Sequence, residues 1–288
     1  MIFVTFIPSE TLDLRKNLLT RYNRNSPKKF SEICEHIENL LIRRYPPPPP
    51  SEKITDNKDP NNFRDYTSEK TPLRVINFYQ EQHEKQTVEF VIAQRKKYEK
   101  LNTNFIGIWE GLELLNSLTD NSDPDTELSQ IEHCLQTAEA LRRDNHPKWM
   151  ILTGLIHDLG KLLFFFGAEG QWDVVGDTFP VGCAFSPKII FSNLFSKNPD
   201  HHNEKYNTLY GIYSPNCGLD NVLMSYGHDE DDAYRHLMNE YDYEMMEWVK
   251  LFNPYDLYSK IDCPPNVDEL KPYYVQLINE FFPEKIHW

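Results

Sequence analysis

From about Phe63 onward, apolar residues recur at helical spacing along most of the chain. Val75, Phe78, Tyr79, Val88, Val91 and Ile92 share a face between Thr71 and Lys100, and Phe105 to Leu118 repeats the pattern. Both stretches predict amphipathic helices packed through one stripe. A polar turn, TDNSDPD (119–125), separates them from SQIEHCLQTAEALRR (129–143), where Ser129 and Glu132 form a capping-box signature that places His133 in the first turn of a helix. The next helix begins near Pro147 and carries LTGLIHDLGKLL (152–163). From Gly167 to Pro187 the chain is rich in Gly and Pro and predicts a long loop. Helices are expected again through GLDNVLMSYGHDEDDAYRHLM (218–238), YDYEMMEWVKLF (241–252) and VDELKPYYVQLINEFF (267–282). With no repeats and no strand-turn-strand series, the fold class is all-α.

The first 62 residues read differently. FSEICEHIENLLIRR (30–44) predicts an amphipathic helix that stops at YPPPPP, and five consecutive prolines favour an extended spacer leading into SEKITDNKDPNN. Residues 1–62 are therefore expected to be an N-terminal extension with a proline-rich linker, partly disordered, and residues 63–288 one catalytic-sized domain. A spacer is the commoner use of such a proline run than a ligand for an SH3-type domain.

Charge and cysteines narrow the setting. Thirty Lys and Arg against 44 Asp and Glu give a formal charge of −14, which repels nucleic acid and anionic membrane surfaces. Five cysteines without CxxC pairing suit reduced thiols in the cytoplasm. MIFVTFIP is too short to span a bilayer and has no cleavage-site pattern, so neither a membrane anchor nor a secretory signal is expected.

On an α-helical wheel, Ile151, Leu152, Leu155, Ile156, Leu159, Leu162 and Leu163 form the core stripe, and Gly154, His157, Asp158 and Lys161 line up beside it. A solvated face normally mixes Glu, Lys and Gln. Here a glycine permits close approach, while an imidazole, a carboxylate and an ammonium suit a metal site with His157 and Asp158 as ligands and Lys161 as donor to a bound anion or hydroxyl. A lone His-Asp pair is more often a buried hydrogen-bonded pair than a metal site. Its company favours the metal: His133, the His228-Asp229 pair of GHDE, and Asp256 in the aromatic FNPYDLYSK offer ligands from other segments.

FRDY (63–66), SDPD (122–125), HCLQTAEALR (133–142), LIHDLGK (155–161), QWDVVGDTFPVGCAF (171–185), CGLDNVLMSYGHDE (217–230) and FNPYDLYSK (252–260) together resemble the myo-inositol oxygenase family, in order, from about residue 63 to the C-terminus. The resemblance implies an HD-domain-like helical bundle, a long loop covering a metal site, and two iron ions that use O2 to convert myo-inositol to D-glucuronate. It implies His133, His157 and Asp256 as ligands of one iron, Asp158 as the bridging carboxylate and His228 as a ligand of the second. Lys161, Arg64, Asp120, Ser122, Gly176 and Asp177 would bind substrate hydroxyls, Lys161 also stabilising an alkoxide. A monomer is expected, its oligomeric state left open.

One departure stands out. Family members carry, between the GHD segment and the last aspartate, a further histidine in a His-Ser-Phe-Tyr-Pro context that ligates the second iron, whereas here GHDE runs straight into DDAYRHLMNEYDYEMMEWVKLF and no His-Ser pair occurs. His236 is a poor substitute, being eight residues past His228, and His36, His83, His146, His201, His202 and His287 read as surface or loop residues. A clean join between two well-matched flanks points to a skipped segment rather than to drift. Three functions follow as expectations: an inositol oxygenase, impaired in this form; a catalytically inactive homologue that binds a polyol or a partner protein; and a metal-dependent HD-type phosphohydrolase, which lacks a run of Arg or Lys to clamp phosphate.

Overall fold

The computed structural model describes residues 71–122, 129–226, 229–230, 234–258 and 265–288. The 1–62 extension, Arg64 and His228 lie outside them. Seven α-helices are described: α1 (Leu73–Lys85), α2 (Val88–Tyr98), α3 (Ile108–Leu115), α4 (Gln130–Arg143), α5 (Lys148–Ile156), α6 (Glu240–Tyr258) and α7 (Val267–Phe281). None is long and apolar enough to cross a membrane.

The all-α reading holds for the bundle. α4 and α5 make the closest pair; α6 and α7 pack on both, and α3 packs on α4. Their seam is apolar, with Leu135, Ala138, Leu141, Leu152 and Leu155 buried. Gly154 sets its closeness: a Cβ there would lie 2.7 Å from Leu141 Cδ1 and 3.1 Å from the Ala138 Cα. The glycine therefore faces the α4 backbone, where the helical wheel placed it beside the polar stripe.

A second correction concerns LTGLIHDLGKLL itself. α5 ends at Ile156, and residues His157–Phe164 continue as a 3-10 helix. At three residues per turn, positions i and i+3 eclipse. Asp158 thus lies directly under Lys161, 3.0 Å from its Nζ, and Leu159 under Leu162, both of which are buried.

The Gly-rich stretch is less of a loop than its composition predicts. Trp172, Val174, Val175, Phe179, Val181 and Cys183 are buried, a short 3-10 helix spans Gln171–Asp173, and β2 (Asp177–Thr178) pairs in parallel with β3 (Asp229–Glu230). Val181 N donates to Leu223 O at 2.8 Å and Ser225 N to Phe179 O at 2.7 Å. The described part of 218–230 is consequently extended around one short 3-10 turn, Leu219–Asn221, rather than the helix that its apolar spacing suggests. Past the 3-10 turn, Leu223 and Ser225 find backbone partners in the Gly-rich stretch instead of in a helical turn. At the other end of the fold, β1 (Phe105–Ile106) pairs antiparallel with β4 (Ile286–His287).

His83 also departs from the surface reading. It is fully buried on α1, stacked on Phe195 with ring centroids 4.0 Å apart, and its Nε2 donates to Ile190 O at 2.7 Å. Burial lowers its pKa to about 4, the Ile190 carbonyl opposing only in part. In the unfolded chain it protonates near 6.5, so below that pH the unfolded state binds the extra proton and folding loses free energy until about pH 4. The loss across that window is expected to be about 3 kcal/mol. Urea unfolding at pH 7 and pH 4.5 measures it, and a His83→Phe protein should show a shallower drop than the parent.

Candidate metal centre

Four elements bring the polar side chains together. α4 starts at its expected cap: Ser129 Oγ accepts from Glu132 N at 3.4 Å while Glu132 Oε2 accepts from Ser129 N at 3.0 Å. This fixes His133 one turn in, where it faces the start of the 3-10 helix. Ser129→Ala removes the cap and is expected to cost about 1 kcal/mol of stability, read as a lower urea midpoint at unchanged m.

The ligand atoms converge. His133 Nε2 and His157 Nε2 are 3.2 Å apart, and Asp256 Oδ1 of α6 lies 2.8 Å from the first and 3.2 Å from the second. Asp158 Oδ2 sits 3.9 Å from His133 Nε2 and 3.7 Å from His157 Nε2. Ligands bound to one ion at about 2.1 Å are themselves about 3 Å apart at right angles, so these spacings match a shared coordination sphere. His133, His157 and Asp158 together could hold a metal ion.

The tautomer agrees. His157 Nδ1 lies 2.9 Å from Gly154 O, and a carbonyl only accepts, so Nδ1 carries a proton and the neutral ring turns its Nε2 lone pair to the cluster. Outer-shell hydrogen bonds orient metal-binding histidines in this way. Two imidazoles with two carboxylates and no thiolate form a mixed N/O set that suits iron. Cys134, though fully buried nearby, stays a thiol: burial and then Asp158 push it well above the usual range.

With protons in place of a cation, the charges are tightly matched. Burial lowers the His157 pKa, but Asp158 and Asp256 outweigh it and raise it to about 9. Burial favours a neutral Asp256, yet His157 and His133 hold it well below the ordinary carboxylate range. Lys161 is buried, which works against its charge, but Asp120 and Asp158 keep it above a normal lysine. All three of its donors are placed: 2.8 Å to Asp120 Oδ2, 3.0 Å to Asp158 Oδ2 and 3.1 Å to Gln130 Oε1.

Of the residues expected to contact substrate, Asp120 and Ser122 join this cluster. Both are buried, and Asp120 Oδ1 accepts from Ser122 N at 2.8 Å and Ser122 Oγ at 2.5 Å. Gly176 and Asp177 are held against α1. Gly176 has φ +83° and a Cβ there would meet Phe78 at 2.6 Å, while Tyr79 OH lies 3.3 Å from Asp177 Oδ1. His236 Nε2 bonds to Leu209 O at 3.0 Å. His146 bonds to Tyr255 OH at 2.7 Å and is half-buried. Gln130 went unnoticed in the sequence, although it lies one helical turn before His133 on the same face. Gln171, taken up below, was missed as well.

The fold and site define an all-α bundle with a buried histidine–carboxylate centre beside a lysine. The chain belongs to the myo-inositol oxygenase family, whose model matches residues 72–231 and 230–288. It is 49% identical to Inositol oxygenase 1 of Arabidopsis thaliana over 261 positions, covering 78% of this chain and 84% of that one. It is 43% identical to the inositol oxygenase of Dictyostelium discoideum over 268 positions, covering 80% and 91%. With the Pongo abelii inositol oxygenase the identity is 39% over 264 positions, covering 80% and 92%.

Two details bear on the departure from the family pattern. The family match comes in two pieces that meet at residues 230–231, just after GHDE. The Arabidopsis alignment takes 261 positions to cover 78% of a 288-residue chain, so roughly three dozen of its positions face a gap here.

Proposed function

We propose that this chain carries the inositol oxygenase reaction site, with one iron position complete and the second short of a ligand. The convergence of His133, His157, Asp158 and Asp256 beside the buried Lys161, in a chain of this family, carries the reading. The substrate is myo-inositol, the co-substrate O2 and the product D-glucuronate. His133, His157 and Asp256 would hold one iron, Asp158 would be shared between the two, and His228 would serve the second. When bound, iron supplies the one-electron chemistry with O2 that none of these side chains possesses.

The chain's own groups do the rest. Lys161 presents a fixed positive charge in a buried position, where it stabilises a substrate oxygen as it loses its proton better than it would in solvent. Asp120 keeps that ammonium aimed, and Asp158 ties it to the ligand set. Arg64, Ser122, Gly176 and Asp177 complete the contacts to the polyol. Free thiols at Cys134, Cys183 and Cys217 support a cytoplasmic setting. Two carboxylates against one lysine disfavour a phosphate ester, which weighs against the phosphohydrolase reading.

The absent histidine segment favours a second reading, a homologue that binds polyol without turning it over. One experiment separates the two. Iron-reconstituted protein is assayed for iron per chain, inositol binding and O2-dependent glucuronate formation. Turnover with close to two irons supports the oxygenase; inositol binding with one iron and no O2 uptake supports the binder. Binding of neither inositol nor iron overturns both.

A further inference from the structure

Gln171 opens the short 3-10 helix in the Gly-rich stretch, and no role in the site has been given to it. Its side-chain amide spans the two backbone groups that flank Asp120: Nε2 donates to Thr119 O at 2.8 Å, and Oε1 accepts from Asn121 N at 2.9 Å. A primary amide used in this way reproduces one rung of a β-ladder. The segment needs it, since residues 119–122 lie between α3 and α4 with no regular element of their own. Between its two anchored neighbours, Asp120 has Oδ2 on Lys161 at 2.8 Å and Oδ1 on Ser122.

We propose that Gln171 is a positioning residue, whose amide clamp on residues 119 and 121 holds Asp120 against Lys161 and so ties the Gly-rich stretch to the metal centre. The link is continuous. It runs from Gln171 through the Asp120 backbone to its carboxylate, then to Lys161 Nζ and on to Asp158 Oδ2 at 3.0 Å. A displacement of about 1 Å in a group that meets the reacting atoms can cost about a hundredfold in rate, so anchoring Asp120 from both sides matters to the lysine it aims. Five residues past Gln171, Gly176 enters its tight contact with Phe78. The position of the stretch that packs on α1 is thereby registered at Lys161.

This inference rests on Lys161 being the ammonium that meets the polyol, and its test has two arms that separate the clamp from that reading. In the first, the full chain and its Gln171→Leu and Gln171→Glu variants are treated with acetyl N-hydroxysuccinimide, and acetylation of Lys161 is followed by mass spectrometry relative to exposed Lys148. The parent lysine, buried with all three donors placed, should be protected; both variants should acetylate it about tenfold faster with Lys148 unchanged. The glutamate variant keeps the size of Gln171 and sets an acceptor against Thr119 O. In the second arm, anaerobic titration of iron-loaded protein with myo-inositol should show affinity falling about tenfold in both variants at equal iron content. Unchanged protection of Lys161 in both variants would overturn the clamp. Faster acetylation with unchanged inositol affinity would overturn its role in substrate positioning, and a parent that binds no inositol would defeat the proposed function while the first arm still decides the clamp.

Discussion

Asp158→Asn protein is expected to leave reconstitution with less than half the iron of the parent and with no detectable glucuronate formation. Asp158 Oδ2 lies within 3.9 Å of both histidine Nε2 atoms and 3.0 Å from Lys161 Nζ, so the change touches both histidines and the lysine at once. Asparagine preserves shape and removes the charge. Loss of an outer-shell partner alone weakens metal affinity by 10–100-fold in comparable sites. If Asp158 is the shared carboxylate of the proposed site, its loss is expected to reach about 100-fold or more. Iron per chain after gel filtration measures this. Parent-like iron content would remove Asp158 from the ligand set.

Lys161→Met should separate binding of metal from use of substrate. The lysine is almost wholly buried between Asp120 and Asp158, so methionine leaves two buried carboxylates facing one another without a cation. Breaking a buried pair by removing one partner typically costs about 3–5 kcal/mol, and urea unfolding of the metal-free protein should show a loss of that size. Adding Asp120→Asn in the same chain relieves the repulsion and should recover part of the stability. Turnover should not return. Removal of a group that stabilises a developing oxyanion costs about 10²–10³ in rate, and that deficit should persist in the double variant. Equal recovery of stability and rate would assign Lys161 a purely structural role.

Local chemistry made much of this legible. The Ser129–Glu132 cap and the Pro147 start involve residues within a turn of one another, so they could be read without the fold. The candidate ligands His157, Asp158 and Asp256 were readable because they interrupt apolar or aromatic runs, and desolvating such a group needs a reason; His133 was readable from its place one turn past the cap. Where the reading failed, the cause lay elsewhere in the chain. EQHEK around His83 looks solvated, yet the aromatic rings that cover it, Phe179 and Phe195, come from about a hundred residues downstream. GLDNVLMSY has apolar spacing that a helix would accept, and only the open backbone of Phe179 and Val181 makes it extended.

Smaller changes of geometry were invisible for another reason. Residues His157–Phe164 form too short a stretch, with too few polar positions, for the sequence to reveal whether successive side chains step by 100° or by 120°, so periodicity does not separate α from 3-10. The difference matters locally, because only the tighter turn eclipses Asp158 and Lys161. Gln171 shows the limit from another side. A half-buried glutamine in a Gly-rich stretch carries no signal of its own, and its partners are two backbone groups about fifty residues away.

The placement of Asp256 on α6 has a consequence for the order in which the centre is made. His133, His157 and Asp158 lie close in sequence, on α4 and on the 3-10 helix that follows α5, whereas the fourth candidate ligand, Asp256, is about a hundred residues further along. At translation rates of about 5–20 residues per second, a nascent chain holds three ligand side chains for roughly 5–20 seconds before Asp256 is synthesised. Any metal ion captured in that interval sits in an open, three-sided site, and the choice of ion becomes final only when α6 docks.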